Sequence, residues 1–599
     1  MSTFTACLRR QADRYGDTRW FAHTTGRRGI PAETGRLTYR ELHHRAERLG
    51  AALTGAGATD QAVLLLYPAG LEFLAAFLGC LHARAVAVPA PLPATDPGAL
   101  RRAERIVHDA GVRLVLTDRA HERSLRHWLR TTGLEEKVEC LATDAAELPG
   151  PLPEPSRPAV TAETVAYLQY TSGSTSEPRG VLVSHANLMH NSAQINALIS
   201  RPGEATEGTG VGWLPHYHDM GLVGQLLQPL YASGNMVIAA PSAFVARPVL
   251  WLRMIDRYRA RATMAPDFAY AWLHRCAQDE DLAGLDLSCL EWALNGAEPV
   301  RPDTLRALTR RLRPYGLRPD VWAPAYGMAE ATLLVTGTRR GAGARITAFD
   351  TGHLEHHRAV APAGARRTEI VSSGRPTGTE VLIVRPDGTD PLPDGTVGEI
   401  WLAGPGVAQG YWNSPTATEQ TFGARTTDGA GPYLRTGDLG FLLGGELYVT
   451  GRAKEVIVVH GRNLYPQDIE EAGRTAHPAA GTAAAFGVEA DGEHVVLVQE
   501  IGPEQLNGTS PGELADRIRR SARRAVGAPV SVLLVPRNTV PRTTSGKIRR
   551  APLRTAFLSG RLPLLHIDAH PRVTALAGGG PGRPPRAQDT PPTQKGTPP

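Results

Sequence analysis

The sequence predicts an α/β chain: a large N-terminal domain of parallel-type sheets with crossover helices plus a small antiparallel subdomain, and a small α+β C-terminal domain. Three observations carry this reading. At 599 residues the chain is longer than one ordinary core organises, so two to four domains are expected. Helical patterns alternate with short β-branched runs through the first four-fifths of the chain. From Ser373 onward the pattern changes to short strands separated by turn signals.

The elements follow in chain order. "MSTFTACLRRQADRYGDT" carries charges where a signal peptide needs an apolar core, so it reads as an amphipathic helix. "LTYRELHHRAERLGAAL", from Leu37, has helical spacing with Thr38 or Tyr39 at its start. "AVLLLY", "AVAVPA", "RLVLTD" and "NMVIAA" read as strands of parallel sheets, whose ligands bind beyond the strands' carboxyl ends. The most apolar stretch, "LEFLAAFLGCLHARAVAVPAPLP" from Leu71, is interrupted by Glu72, His82, Arg84 and prolines. It is a buried helix followed by a strand, because a membrane span needs about 20 uninterrupted apolar residues.

"EVLIVRPDGT", "VGEIWLAG" and "GELYVTG" form the antiparallel subdomain. In the C-terminal domain "HVVLVQEI" and "SVLLVP" are strands, and Pro511 to Val526 is a helix. The tail beyond about Asp568, "GGGPGRPPRAQDTPPTQKGTPP" at its end, is too rich in Gly and Pro to bury a core and is expected to be disordered. The boundaries are therefore 1–451, 452–567 and 568–599.

Composition narrows the function classes. Hydrophobic residues at 42% and charged residues at 21% describe a soluble globular chain. The 65 cations nearly balance 59 anions with no basic stripe, so a nucleic-acid partner is not expected. Cys7, Cys80, Cys140, Cys276 and Cys289 are odd in number and widely spaced, which fits neither a disulfide framework nor a CxxC metal site and suits a reducing cytoplasm. No GxxxxGK[ST] loop or HExxH motif is present, and "HLEHH" from His353 reads as a solvated face.

Two local features point to chemistry. "YTSGSTSEPRG", Tyr170 to Gly180, follows the strand-like "TVAYLQ"; its two glycines and five hydroxyl residues give a loop that can wrap a polyphosphate with backbone N–H groups and hydroxyls. The second is Lys547, one of only four lysines among the 65 cationic residues. A chain that otherwise uses arginine retains there a compact point charge on a flexible stem, the shape suited to a narrow site.

These residues resemble the adenylate-forming superfamily of acyl-CoA synthetases, peptide-synthetase adenylation domains and luciferases. The loop is similar to that family's TSGSTGxPKG, with Ser176 for a glycine and Arg179 for the lysine. The resemblance makes Thr171, Ser172, Gly173, Ser174, Thr175 and Arg179 the ATP-phosphate contacts, with Thr175 also toward Mg2+. "NGAEPV" supplies Asn295, Gly296, Ala297 and Glu298 along the adenine. "YGMAE" supplies Tyr326, Gly327 and Met328, with Glu330 holding Mg2+, and "RTGD" places Asp438 on the ribose hydroxyls. "GRAKE" is similar to the interdomain hinge, with Arg452 near the nucleotide and Lys454 at the pivot. "RTTSGKIRR" matches the motif whose lysine, Lys547, enters the active site from a mobile C-terminal domain. Six motifs in order span nearly the whole chain.

Within the superfamily, "PHYHDMGL", "PSAFVARPVLWL", "RNLYPQDIE" and "SGSTSEPRG" resemble fatty acyl-AMP ligases, with His218 and Asp219 at the gate. The resemblance implies a fatty acid substrate, ATP and Mg2+ as cofactors, and transfer of the acyl group to the phosphopantetheine arm of an acyl carrier protein. Residues 338–371 lack an obvious strong element and stand where these ligases carry an insertion. "APDFAY" has Asp267 where they resemble one another in asparagine, at the edge of the acyl pocket. A fatty acyl-CoA synthetase using free coenzyme A is the alternative, and a catalytically weakened binding protein is the alternative from another class.

Overall fold

The computed structural model describes residues 2–577 apart from 28, 94–96, 145–146, 154–155, 172–178, 201–207, 365, 460–461, 491, 507 and 544–545. The chain divides into two compact units, Met1–Ala453 and Lys454–Pro599.

In the large unit, two sheets share one core. The six-stranded sheet runs in the order Glu139–Ala142, Leu114–Thr117, Ala62–Tyr67, Val86–Pro91, Val165–Tyr170 and Gly180–Ser184; only the last pair is antiparallel. The nine-stranded sheet has a parallel centre, including Thr209–Gly212, Ala262–Ala265, Trp292–Asn295 and Trp322–Gly327, with antiparallel strands at both edges. Alternation within "AVLLLY" explains the layering. Val63, Leu65 and Tyr67 face the core shared with the second sheet, whereas Ala62, Leu64 and Leu66 face the helices outside.

The helix Leu71–His82 lies in that shared core with Phe73 to Leu81 all buried, as its apolar sequence dictates. Its neighbour Tyr39–Gly55 is amphipathic and starts with a capping box between Thr38 and Glu41. The antiparallel subdomain is a four-stranded sheet of Glu380–Val384, Gly398–Ala403, Leu434–Leu443 and Glu446–Arg452. The first helix, Phe4–Tyr15, buries Phe4, Cys7 and Leu8 on one face. No helix among the described residues is long and apolar enough to cross a membrane.

The small unit packs the helices Pro466–Thr475 and Pro511–Val526 on a sheet ordered Ala480–Glu489, Glu493–Ile501, Val530–Pro536 and His566–Asp568.

Two expectations are corrected. Residues 338–371 contain a paired antiparallel ribbon, Ile346–Asp350 with Arg367–Val371, and a short helix, Thr351–Glu355. Buried Phe349 packs edge-on against Phe441 and Tyr448, and Arg306 forks onto Glu369 at 2.6 and 2.9 Å. The tail, expected to be disordered from 568, is still folded at its start. Asp568 closes the sheet and pairs with Arg519, and Pro571–Leu576 is a helix whose Val573 is fully buried. Val573, Leu576 and Ala577, at spacings of three and one, make an apolar stripe that the Pro and Gly beyond them obscure. Residues 578–599 lie outside the described residues. In "HLEHH", His353 and His356 are exposed while Leu354 and Glu355 are buried.

Candidate functional site

The carboxyl ends of the parallel strands gather most of the candidate residues of the large unit. Near the end of strand Trp322–Gly327 stands Tyr326, whose hydroxyl donates to Asp438 Oδ2 at 2.8 Å. Asp438 is buried on strand Leu434–Leu443, and its Oδ1 meets Arg452 Nε at 3.1 Å from the paired strand. Burial and the Asp438 charge hold the Tyr326 phenol well above the usual range. Tyr326 also lies 4.0 Å from Met328 Sδ. Gly327 allows the chain to fold back: a β-carbon there would lie 1.8 Å from the Leu333 carbonyl oxygen.

The "RTGD" turn is held from beneath. Glu399, buried beside Trp401, accepts from Arg435 at 2.6 Å, from Trp401 Nε1 at 3.0 Å and from the Gly437 N–H at 3.2 Å. A carboxylate with several donors fixes the loop that presents Asp438.

Glu330 follows on the next turn. Its Oε1 accepts from Tyr411 Oη at 3.0 Å, and its carbonyl accepts from Ala408 N at 2.9 Å. Burial raises the Glu330 carboxyl, so the site favours a cation that would restore its charge. Arg179 lies over the Tyr411 ring, 5.4 Å from its centroid. Tyr411 thereby joins the end of the Ser/Gly loop to the glutamate. Residues Gln409 to Trp412 run alongside strand Gly180–Ser184 through hydrogen bonds of 2.8–3.0 Å, which fixes that placement. At the loop's other end, Thr171 N donates to the Arg179 carbonyl at 3.1 Å. Ser172, Gly173, Ser174 and Thr175 lie outside the described residues.

The "NGAE" segment is pinned by a reciprocal clasp. Asn295 Nδ2 and the Arg301 N–H donate to Asp267 Oδ1 at 3.0 and 3.2 Å, and the Thr304 hydroxyl donates to Oδ2 at 3.0 Å. In return Glu298 accepts from the Phe268 N–H. The clasp holds Ala297 at φ +67°, a backbone setting costly for a non-glycine residue, while Gly296 passes close under the Ala325 carbonyl. Asp267 is fully buried, and burial raises its carboxyl against the opposing pull of Arg301 and its hydrogen bonds. It is thus a structural anchor of this segment rather than an open edge of an acyl pocket.

His218 and Asp219 precede a buried π-helical run, Met220–Leu227; Asp219 caps it by accepting from Met220 N at 2.7 Å. The His218 carbonyl accepts from Leu222 N at 2.7 Å, so the His218–Asp219 segment is continuous with that helix.

In the small unit, Lys454 is exposed at the start, in the turn Ala453–Glu455. Lys547 is also exposed; its N–H donates to Thr543 Oγ1 at 3.0 Å and its carbonyl accepts from Thr543 N at 2.8 Å. Three residues on, Arg550 spans Glu470 at 2.7 and 2.8 Å and Glu455 at 2.6 Å, anchoring the base of the Lys547 turn.

Sequence reasoning missed Tyr411, Glu399 and the Asp267 clasp. Of these, only Asp267 had a sequence signal, its departure from the asparagine of similar ligases. Among the described residues no group of three or more His, Cys, Asp or Glu side chains is arranged to hold a metal. One carboxylate suits Mg2+, which takes one or two together with substrate phosphates.

The family model of AMP-binding enzymes matches residues 8–412. The medium-chain-fatty-acid–[acyl-carrier-protein] ligase JamA of Moorena producens is 39% identical, over 91% of this chain and 93% of that protein. The long-chain-fatty-acid–AMP ligase FadD26 of Mycobacterium marinum is 36% identical, over 87% of this chain and 91% of that protein. The crystal structure of the fatty acid AMP ligase from Legionella pneumophila superposes with a TM-score of 0.72 at 33% identity, covering 95% of this chain and 98% of that one.

Proposed function

This chain belongs to the AMP-binding enzyme family, and from that premise we propose how its residues divide the work of a fatty acyl-AMP ligase. A fatty acid carboxylate oxygen attacks the α-phosphorus of ATP, the bond to the bridging oxygen breaks, and pyrophosphate leaves acyl-AMP behind. Two anions approach as charge builds on the phosphoryl oxygens, so catalysis is positioning and electrostatic stabilisation.

The observation that carries this reading is the Tyr326–Asp438–Arg452 cluster beside the Glu330–Tyr411–Arg179 chain. Asp438 receives the ribose hydroxyls, Tyr326 and the segment Asn295–Glu298 flank the adenine, and Arg179 attends the phosphates with the loop Ser172–Thr175. Glu330 and Thr175 would hold Mg2+, which when bound would neutralise phosphate charge. His218 orients the carboxylate at the mouth of the acyl site. Lys547 supplies the mobile ammonium, with Lys454 as hinge. The acceptor of the acyl group is the phosphopantetheine thiol of an acyl carrier protein, an assignment supported by the Moorena relative, which is named as an acyl-carrier-protein ligase.

Purified protein incubated with labelled decanoic acid, ATP and Mg2+, with and without coenzyme A, tests the reading. Acyl-AMP unaffected by coenzyme A, and consumed by a phosphopantetheinylated carrier protein, is the expected result. Efficient acyl-CoA formation would make it a fatty acyl-CoA synthetase.

A further inference from the structure

A cavity of about 90 Å3 lies between the strands Thr209–Gly212, Asn235–Ala239 and Ala262–Ala265 and the helical run from Met220 to Ala232. Since one water needs only about 10–15 Å3 on this measure, several non-hydrogen atoms of a ligand fit. Val211, Met236 and Met264 give it apolar walls. Gly224 brings the helix backbone close: a β-carbon there would lie 2.7 Å from Met264 Sδ. The helical run begins directly after His218 and Asp219, and its later residues Gly224, Gln225 and Gln228 line the cavity.

One lining residue is chemically out of place. Gln228, only 3% exposed, follows Gly224 and Gln225 at spacings of four and three, on the same cavity-lining side of the run. Both atoms of its amide lack a hydrogen-bond partner, whereas the Gln225 Oε1 accepts from Leu214 N at 2.9 Å. Buried amides with neither donor nor acceptor satisfied are rare and costly, and such an exception points to a missing partner. The rim nearby is also polar: Glu291 Oε2 accepts from both Arg261 and Arg340 at 2.9 Å.

We propose that the acyl substrate is a medium-chain fatty acid carrying a hydroxyl near its far end, bound by Gln228. The proposal rests on the fatty acyl-AMP ligase reading above. A hydroxyl donates and accepts at once, so it matches either end of the orphan amide. The length follows from the helix. Asp219 to Gln228 is nine residues, and because Met220–Leu227 is π-helical and more tightly wound than an α-helix, the span is at most roughly 13 Å, the α-helical value. An extended carbon chain built from ~1.5 Å bonds needs on the order of ten atoms to cover that distance.

The test compares pyrophosphate release by the full chain with straight-chain acids of about 8 to 12 carbons, the span set by the helix length, and with their ω-hydroxy counterparts. Wild type is expected to favour one hydroxy acid over its parent by roughly 10- to 100-fold in kcat/KM. Gln228→Leu should remove or invert that preference while still turning over the unsubstituted acids. Gln228→Met, closer in shape, serves where the leucine variant does not fold. A wild type that prefers the plain acid at every length overturns the proposal, as does a hydroxyl preference that survives in either variant. Pyrophosphate release with plain acids alone leaves the ligase reading standing, whereas release with no acid of either kind overturns both.

Discussion

Replacing Asp267 by alanine and by asparagine separates the geometry of the "NGAE" clasp from its charge. In Asp267→Ala, the Asn295 amide, the Arg301 N–H and the Thr304 hydroxyl each lose an acceptor. At about 1 to 1.5 kcal/mol for each of the three buried hydrogen bonds, the loss is about 3 to 4.5 kcal/mol. If about 1.4 kcal/mol of it must be recovered when nucleotide orders the loop around Ala297, the KM for ATP rises about tenfold. Asparagine retains the geometry: one oxygen still accepts from Asn295 and Arg301, and its amide donates to the Thr304 hydroxyl, which accepts equally well. The ion pair with Arg301, 3.8 Å away and partly exposed, is worth less than about 1 kcal/mol.

The pH dependence has a definite sign. Burial raises the Asp267 pKa in the folded state, so the folded chain binds more protons than the unfolded chain between the ordinary carboxylate value and the raised one. Stability from this group is therefore greatest at acid pH and falls as pH rises through that window. At neutral pH the asparagine variant, with no charge to bury, should match or exceed wild type, and its advantage should shrink on acidification. Unfolding of the full chain at neutral and acid pH, together with ATP–pyrophosphate exchange at varied ATP, measures both effects. An asparagine variant as unstable and as weak for ATP as the alanine variant would refute the reasoning.

Lys547→Ala should slow pyrophosphate release in single-turnover assays by about 10²- to 10³-fold, the scale for one preorganised donor; Lys547→Arg should not restore it, because the planar fork does not replace a point charge. Near-normal release by the alanine variant would remove Lys547 from the chemistry. Arg550→Met leaves the buried Glu470 carboxylate without its fork and should destabilise the small unit by about 3 to 5 kcal/mol, read as faster hydrogen exchange around the Lys547 turn. Glu330→Gln keeps an oxygen for Tyr411 but loses the charge, so half-maximal rate should require more than about tenfold higher Mg2+; an unchanged Mg2+ titration would place the metal elsewhere.

Most of the scaffold was legible because local physics and tertiary packing agree. "AVLLLY" alternates between two cores, and "LTYRELHHRAERLGAAL" carries its own cap and apolar stripe. Motif order also picked out Tyr326 and Asp438, which hydrogen-bond directly across 112 residues, and Glu330 in the turn after the Tyr326 strand. What stayed hidden depends on pairings far apart in sequence. Tyr411 reaches Glu330 across 81 residues, and Arg435 reaches Glu399 across 36, with no local pattern to announce either. The ribbon in 338–371 escaped because Arg367–Val371 is largely half-exposed and polar, so alternation alone does not mark a strand. The π-helical run after Asp219 has no composition that separates it from an ordinary helix.

The hairpin Trp20–Thr38 places the first strand of the chain next to Asn235–Ala239 in the nine-stranded sheet. During synthesis that strand emerges early and has no sheet to join until about 200 more residues have followed, roughly 10 to 40 s at typical elongation rates. For that interval Phe21 and Ala22, fully buried in the finished protein, are exposed to other nascent chains. Heterologous yield should therefore respond to translation speed and chaperone supply between codons 38 and 239 more than to changes at the carboxyl end.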